Sequence, residues 1–415
     1  MIGSLNPAQK KVVVIGAGIS GLLIAYTLKK RGFSVRVLEA SHRVGGLIDT
    51  IQTPYGIAEK AAHSLLVTPE ALGLFKALNI ELCPVNQNAR ARYIYRNGKM
   101  RRMPLNFLEL IRTIFRFLST PKETFYSDTG SLAEWGNIYI GPAATQYLLA
   151  PFITGIFASS PSDLLAKIAF PKLIPSLPTI SLFRHLRSGQ KNARPKMMAP
   201  KNGMGSLVQA LQNELKENIE TGVQVSELPS EENIVLTVPT SALSKLIRKS
   251  DSQSAEALLK IKYAPLITVT CFFHESAFSK IPSGVGVLIP RGEGLRMLGC
   301  LFNSSSFPGR TNANDFVSLT VMVGGTEDPQ AMSLNDEELR TLIDQELRTL
   351  LHATASPTYV VITRWERAIP VYSQNLKTAQ DSLKIGFCAH PGLVVFTNFS
   401  KEVSIRGLIN ASLHL

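Results

Sequence analysis

The stretch KKVVVIGAGISGLLIAYTLKKRGFSVRVLEA at residues 10–40 admits few folds. Its first apolar run, residues 12–15, suits a strand buried on both faces. Gly16, Gly18 and Gly21 follow at the GxGxxG spacing, and Leu22, Leu23, Tyr26 and Leu28 give the next segment a helical apolar face that stops at Gly32. A second apolar run ends at Glu39. Strand, glycine turn, helix and strand together make one βαβ unit. In such a unit the first glycine permits a sharp turn, the second admits a pyrophosphate close to the backbone, and the third lets helix and strand pack closely. The helix N-terminus adds backbone donors and the positive end of its dipole. An acid closing the second strand accepts hydrogen bonds from ribose hydroxyls and repels a 2′-phosphate. The unit therefore predicts a dinucleotide site on Gly16, Gly18, Ile19, Ser20, Gly21, Glu39 and Ala40.

Composition narrows the class. A chain of 415 residues implies two or three structural units, with 45% hydrophobic and only 18% charged residues to build large cores. Its longest uncharged run, residues 135–162, is interrupted by Gly141, Pro142, Thr145, Gln146 and Pro151, so no spanning helix is expected there. The opening residues lack the apolar centre of a secretory signal, which points to the cytoplasm. Cys83, Cys271, Cys300 and Cys388 are scattered, with no CxxC pair and no metal-ligand spacing, so they read as reduced structural thiols and no metal is expected. Lysine and arginine total 44 against 31 acidic residues, a net charge of +13 that favours acidic partners. Aromatic residues are not interleaved with the basic ones as on a base-stacking platform, which argues against nucleic acid.

Along the chain, residues 69–80 read as a short helix and 93–105 as a hairpin whose Asn97-Gly98 suits a type I′ turn. Residues 105–118 place Leu108, Ile111, Phe115 and Leu118 on one stripe beside Arg112 and Arg116. Such a face packs on a core or lies on a membrane surface, and core packing is the commoner case. Residues 181–196 read as an exposed basic loop before a helix at 205–218. Short strands follow between 221 and 239, then apolar runs at 269–273, 285–289, 297–302 and 316–323 that suit an antiparallel sheet. A helix at 335–351 and a final strand at 392–396 complete the pattern.

Four residues past Glu39 come Arg43, Gly45 and Gly46 in an RVGG segment. An arginine there can meet pyrophosphate oxygens, and the two glycines let backbone amides approach them. From GAGISG through RVGG the chain resembles the FAD-binding opening of the flavin amine oxidase superfamily. ARARYIYRNGKMRRMPL, LLAPFITGIFASSPSDLLAKIAFPKL, PKNGMGSLVQAL and GVGVLIPRGEGLRMLGCLFNSSSFPGR, followed by VSLTVMVGG and TRWERAIPVYSQ, resemble segments in the same order in the oxygen-dependent protoporphyrinogen and coproporphyrinogen oxidases.

That resemblance implies an α/β fold with a discontinuous Rossmann-like FAD-binding domain at 1–80, 198–240 and 388–415. A helical, membrane-facing unit at 81–197 and a substrate domain on a mostly antiparallel sheet at 241–387 would complete it. It implies FAD as cofactor and a tetrapyrrole substrate, a porphyrinogen oxidised to the porphyrin with dioxygen as acceptor. It also implies peripheral contact with the inner face of the cell membrane, and leaves room for a homodimer. No catalytic side chain is required, because the cofactor supplies the chemistry. Further cofactor contacts would fall on Ala61, Ala62, Val225, Trp365 and Val403, with Trp365 either beside the flavin or in the core. His63 would bind a propionate or be a structural histidine, and Val287, Ile289 and Met322 would line the pocket or belong to the sheet core. The sequence departs from the family's pattern at Ala61-Ala62, where glycine and proline are usual, and at Thr397 and Glu402, where glycines are usual. These departures predict weaker FAD binding than the family norm, or a relative that binds tetrapyrrole without oxidising it. A flavoenzyme of other substrate is the remaining alternative.

Overall fold

The computed structural model describes residues 2–120, 129–170, 195–230, 233–388, 392–400 and 404–414. The expected basic loop therefore lies outside the described residues up to residue 194.

A six-stranded sheet gathers segments from three distant parts of the chain. Its order is Ile2–Gly3, Leu393–Val395, Ile234–Leu236, Lys11–Ile15, Ser34–Glu39 and Ile219–Thr221. All neighbours are parallel except Ile2–Gly3, which runs antiparallel to Leu393–Val395. Alternate side chains of one strand point to opposite faces, and both faces are covered. Val12, Val14, Val37, Val235 and Val394 join a core with Leu22 and Leu23 of helix Ile19–Lys30, Leu207 and Leu211 of helix Gly205–Glu214, and Leu408 of helix Ile405–Leu413. Val13, Ile15, Leu236 and Val395 join another with helices Thr240–Ile247, Ser252–Leu259 and Gln374–Cys388. Continuous apolar runs at 12–15 and 393–396 are what a sheet sandwiched this way demands.

The second large sheet has seven strands in the order Tyr359–Pro370, Tyr263–His274, Phe316–Gly324, Gly299–Phe302, Gly286–Leu288, Arg92–Arg96 and Lys99–Arg101. It is antiparallel apart from the parallel pair Gly286–Leu288 with Arg92–Arg96. The hairpin expected to belong with the helical unit thus extends this sheet. One face is closed by helix Asp336–Leu351, whose Leu339, Ile343 and Leu347 share a core with Ile267, Val269, Leu319, Val321 and Val323. A small hairpin, Thr50–Thr53 with Gly56–Glu59, links the two halves: the Ile57 amide donates to the Arg310 carbonyl at 3.3 Å and the Asn312 amide to the Tyr55 carbonyl at 3.0 Å.

Helix Phe107–Ser119 overturns the core-packing expectation, for it has no buried residue. Phe107 is 75% exposed and Phe115 70%, and Leu108, Ile111, Ile114 and Leu118 are exposed as well. Its start is well fixed by an Asn106–Glu109 capping box, and Glu109 takes two hydrogen bonds from Arg96 at 2.6 and 2.8 Å. Amphipathic periodicity identifies the apolar stripe but not which side the core occupies, and here the stripe faces away from it. Among the described residues no helix is long and apolar enough to cross a membrane.

Candidate functional site

The carboxyl ends of the parallel strands bring the glycine turn, Glu39 and the RVGG segment together. Gly16 has a φ of +100°, and its amide donates to the Leu38 carbonyl at 2.8 Å, closing the turn onto the neighbouring strand. A Cβ on Gly21 would lie 1.9 Å from the Gly16 carbonyl oxygen, so this glycine is required by close packing. Gly18 differs. A Cβ there would meet only the Gly46 Cα, at 3.9 Å. Among the described residues packing does not demand a glycine at this position, and the space beside it is open. Gly18 caps helix Ile19–Lys30, and the first-turn amides of Ile19, Ser20 and Gly21 lack intrahelical acceptors by the geometry of any helix start. The Gly45 amide donates to the Ala17 carbonyl at 2.8 Å, laying the RVGG segment beside the glycine turn.

Glu39 is held rather than free. One carboxylate oxygen accepts from the Ala17 amide at 2.7 Å, and the other from the Ser41 amide and hydroxyl, both at 2.9 Å. A carboxylate offers about four acceptor positions, so capacity remains for a ribose hydroxyl. The Val223 amide donates to the Glu39 carbonyl at 2.9 Å, and Val223 and Val225 pack against the core cluster that includes Leu38. Arg43 folds back onto its own loop: its guanidinium donates to the carbonyls of Val44, at 3.1 Å, Ile48 and Gly46. It shapes the RVGG loop, and the pyrophosphate role expected of it would require those bonds to be exchanged.

Residues 59–63 run from this cradle to the seven-stranded sheet. Glu59 and Arg310 are 5% and 4% exposed and approach to 3.5 Å. Glu59 also accepts from the Met204 amide at 2.7 Å and the Thr50 hydroxyl at 2.6 Å. Burial outweighs these partners and pushes its carboxyl up to about 7, while burial also lowers Arg310 from its ordinary value. His63 is partly buried, with Nε2 enclosed and without a hydrogen-bond partner among the described residues. Burial first, and the Arg310 charge second, hold it down to about 3. Ala61 and Ala62 pack against the core that contains helix Ile19–Lys30.

The sheet face opposite helix Asp336–Leu351 can be read from the register. Thr268 stands opposite Met322 on one side and Thr363 on the other, Leu266 opposite Trp365, and Met322 opposite Gly299. Met322 is thus on this outward face. Val287 and Ile289 are not: they are 3% and 2% exposed in the core beneath the helix, a correction to their expected place in the pocket. Leu288 takes the outward position, since strand residues alternate, and it touches Gly155 of helix Ala150–Phe157. Trp365 donates from Nε1 to the Lys60 carbonyl at 2.8 Å, with the residue only partly buried.

At the C-terminal strand, Thr397 is buried in a turn, its amide donating to the Ser400 hydroxyl at 3.0 Å and its own hydroxyl without a partner among the described residues. Glu402 and Val403 lie outside the described residues. Cys83, Cys271 and Cys300 are buried free thiols, and burial pushes Cys271 up to about 12, far from a nucleophile.

Comparison with known proteins places this geometry. Residues 19–384 match the profile of the flavin containing amine oxidoreductases. The chain belongs to that family. It is an FAD-dependent oxidoreductase, and the open space beside Gly18, the first-turn amides without intrahelical acceptors and the anchored Glu39 fit the pyrophosphate and adenosine of FAD. Among its relatives, mitochondrial protoporphyrinogen oxidase of Nicotiana tabacum is 28% identical over 96% of this chain and 92% of its own length. Coproporphyrinogen III oxidase of Bacillus subtilis is 23% identical over 94% and 93%. A crystal structure from Exiguobacterium sp. 255-15, provisionally assigned as a protoporphyrinogen oxidase, superposes with a TM-score of 0.80 at 18% identity over 99% and 98% of the two chains. A reduced UDP-galactopyranose mutase reaches 0.78 at 14% identity, over 98% and 94%. These two likenesses concern the family's fold.

Proposed function

We propose that this flavoenzyme oxidises a porphyrinogen, protoporphyrinogen IX or coproporphyrinogen III, to the porphyrin with dioxygen as electron acceptor, in haem biosynthesis. The observation that carries the reading is the end-to-end similarity, over more than nine-tenths of both chains, to relatives with these activities in their names. The site is compatible with it. Thr268, Met322, Leu288, Leu266 and Trp365 on the outward sheet face include no carboxylate to pair with a cationic amine. These five uncharged positions suit a flat, apolar macrocycle.

In this reading Glu39 and the amides of Ile19 to Gly21 hold the adenosine and pyrophosphate, and the outward sheet face holds the macrocycle. When bound, FAD supplies the acceptor for hydride equivalents and the route to dioxygen. The protein excludes water and orients the ring, and no side chain has to act as acid or base. Substrates of this kind are poorly soluble, and the exposed face of helix Phe107–Ser119 supports a peripheral seat on anionic lipid, with Arg112 beside the apolar stripe. The deciding experiment is to load the purified protein with FAD and add each porphyrinogen under air. Porphyrin fluorescence rising above the uncatalysed rate is expected; a protein that takes up FAD yet leaves both substrates at the background rate would refute the reading.

A further inference from the structure

Lys60 is tied down more heavily than a loop residue needs to be. Its carbonyl accepts from Trp365 Nε1 at 2.8 Å and from the Thr268 hydroxyl at 3.2 Å. The two donors stand on neighbouring strands of the seven-stranded sheet, which pair Leu266 with Trp365 and Thr268 with Thr363. Its amide donates to the Asp49 carbonyl at 3.0 Å, and its ammonium lies 2.7 Å from the Asp49 carboxylate. The preceding residue, Glu59, is fixed by Arg310, Met204 and Thr50. The chain therefore leaves Lys60 from a point held at once by the sheet, the hairpin and the Arg310 segment.

Beyond that point runs the segment Ala61–Ala62–His63. A dinucleotide whose ribose lies at Glu39 and whose pyrophosphate lies at Gly18 must extend away from strand Ser34–Glu39, toward the Ile234–Leu236 side of Lys11–Ile15. Ala61 and Ala62 pack against the core that contains helix Ile19–Lys30, and Lys60 just before them is bonded to the other sheet through Trp365 and Thr268. We infer that Trp365 and Thr268 are positioning residues: by gripping the Lys60 carbonyl they set the Ala61–Ala62–His63 segment against the flavin end of FAD. Trp365 then acts through its N–H on the backbone rather than by laying its ring on the cofactor. Thr268, which sequence patterning leaves indistinguishable from any sheet residue, shares the task. The inference rests on the proposed extension of the cofactor toward residues 61–63.

The test uses full-length protein and three substitutions. Trp365→Phe keeps an aromatic ring and removes the donor; Thr268→Val keeps the shape and removes the hydroxyl. Thr270→Val is the control, because the Thr270 hydroxyl pairs with Thr320 at 2.9 Å and not with Lys60. Amide hydrogen exchange at Lys60, whose amide donates to the Asp49 carbonyl, should quicken about five-fold in cofactor-free Trp365→Phe, the effect of one lost hydrogen bond, less in Thr268→Val and not in the control. With FAD added, the first two variants should still take up the cofactor but shift its visible absorption bands and midpoint potential, while the control matches the parent. Unchanged exchange in both variants removes the strut. Quickened exchange with unaltered flavin bands and potential removes its role at the cofactor. A parent that takes up no FAD would instead overturn the cofactor's proposed placement, and with it the positioning role, while the exchange data would still decide whether the strut exists.

Discussion

At Gly18 and Gly21 the same residue type answers to different demands, and the difference can be measured. A methyl group at Gly21 would collide with backbone 1.9 Å away, whereas at Gly18, with φ of −64°, it would find ordinary contact distances. Gly21→Ala should therefore cost about 1–3 kcal/mol of stability, as overpacking does, and lower the unfolding temperature of FAD-free protein. Gly18→Ala should leave that temperature nearly unchanged but weaken FAD uptake, because its methyl group enters the space left for the pyrophosphate. Thermal unfolding of both apo proteins, followed by titration with FAD and flavin fluorescence, separates the two. Equal destabilisation by both would mean that Gly18 serves packing alone. Glu59 and His63 show what residue identity hides: each is ordinary in sequence, and only enclosure beside Arg310 moves their carboxyl and imidazole so far from their usual values.

Helix Phe107–Ser119 poses its question at the scale of an element. Its apolar side chains are already in solvent, so Phe115→Asp should not disturb the core, yet it places a charge in the middle of the exposed stripe. Parent protein should sediment with anionic vesicles at low salt, with basic side chains contributing about 1 kcal/mol each near the surface. Phe115→Asp should lose most of that binding at unchanged unfolding temperature. Equal sedimentation of parent and variant would take the lipid seat away from this helix. The stripe itself was legible from Leu108, Ile111, Phe115 and Leu118, but its direction was not, since direction depends on elements far away in sequence. The same limit applies elsewhere. The glycine turn, the strands at 12–15 and 393–395 and the helix at 336–351 carry strong local periodicity and were legible. Strand Tyr359–Pro370 was not, because Arg364, Glu366 and Arg367 interrupt its apolar pattern at a sheet edge. Whether Val287 and Ile289 line the pocket or fill the core stayed open because a run such as GVGVLIP has apolar residues at both parities, leaving alternation no way to choose. The grip on Lys60 was invisible for another reason: it is made to a carbonyl, which every residue possesses.

The whole molecule carries a net charge of +13, and the two candidate substrates differ in charge while sharing a macrocycle. Coproporphyrinogen III bears four carboxylates and protoporphyrinogen IX two, so a positive field should steer the former more strongly toward any site on this protein. Salt shortens the reach of that field: the Debye length falls from about 30 Å at 0.01 M to about 8 Å at 0.15 M. Raising the ionic strength across this range should therefore lower kcat/KM for the four-carboxylate substrate by a larger factor than for the two-carboxylate one. The apolar contacts with Met322, Leu288 and Leu266 should contribute to both in the same way, which makes the ratio of the two values a measure of the charge effect alone. The assay is porphyrin fluorescence on FAD-loaded protein, in detergent to remove any contribution from lipid binding. A falling ratio of coproporphyrinogen to protoporphyrinogen kcat/KM with salt is the expected result. A ratio that stays constant would show that the excess of lysine and arginine faces something other than the substrate, and the exposed arginine-flanked helix would then be the first place to look.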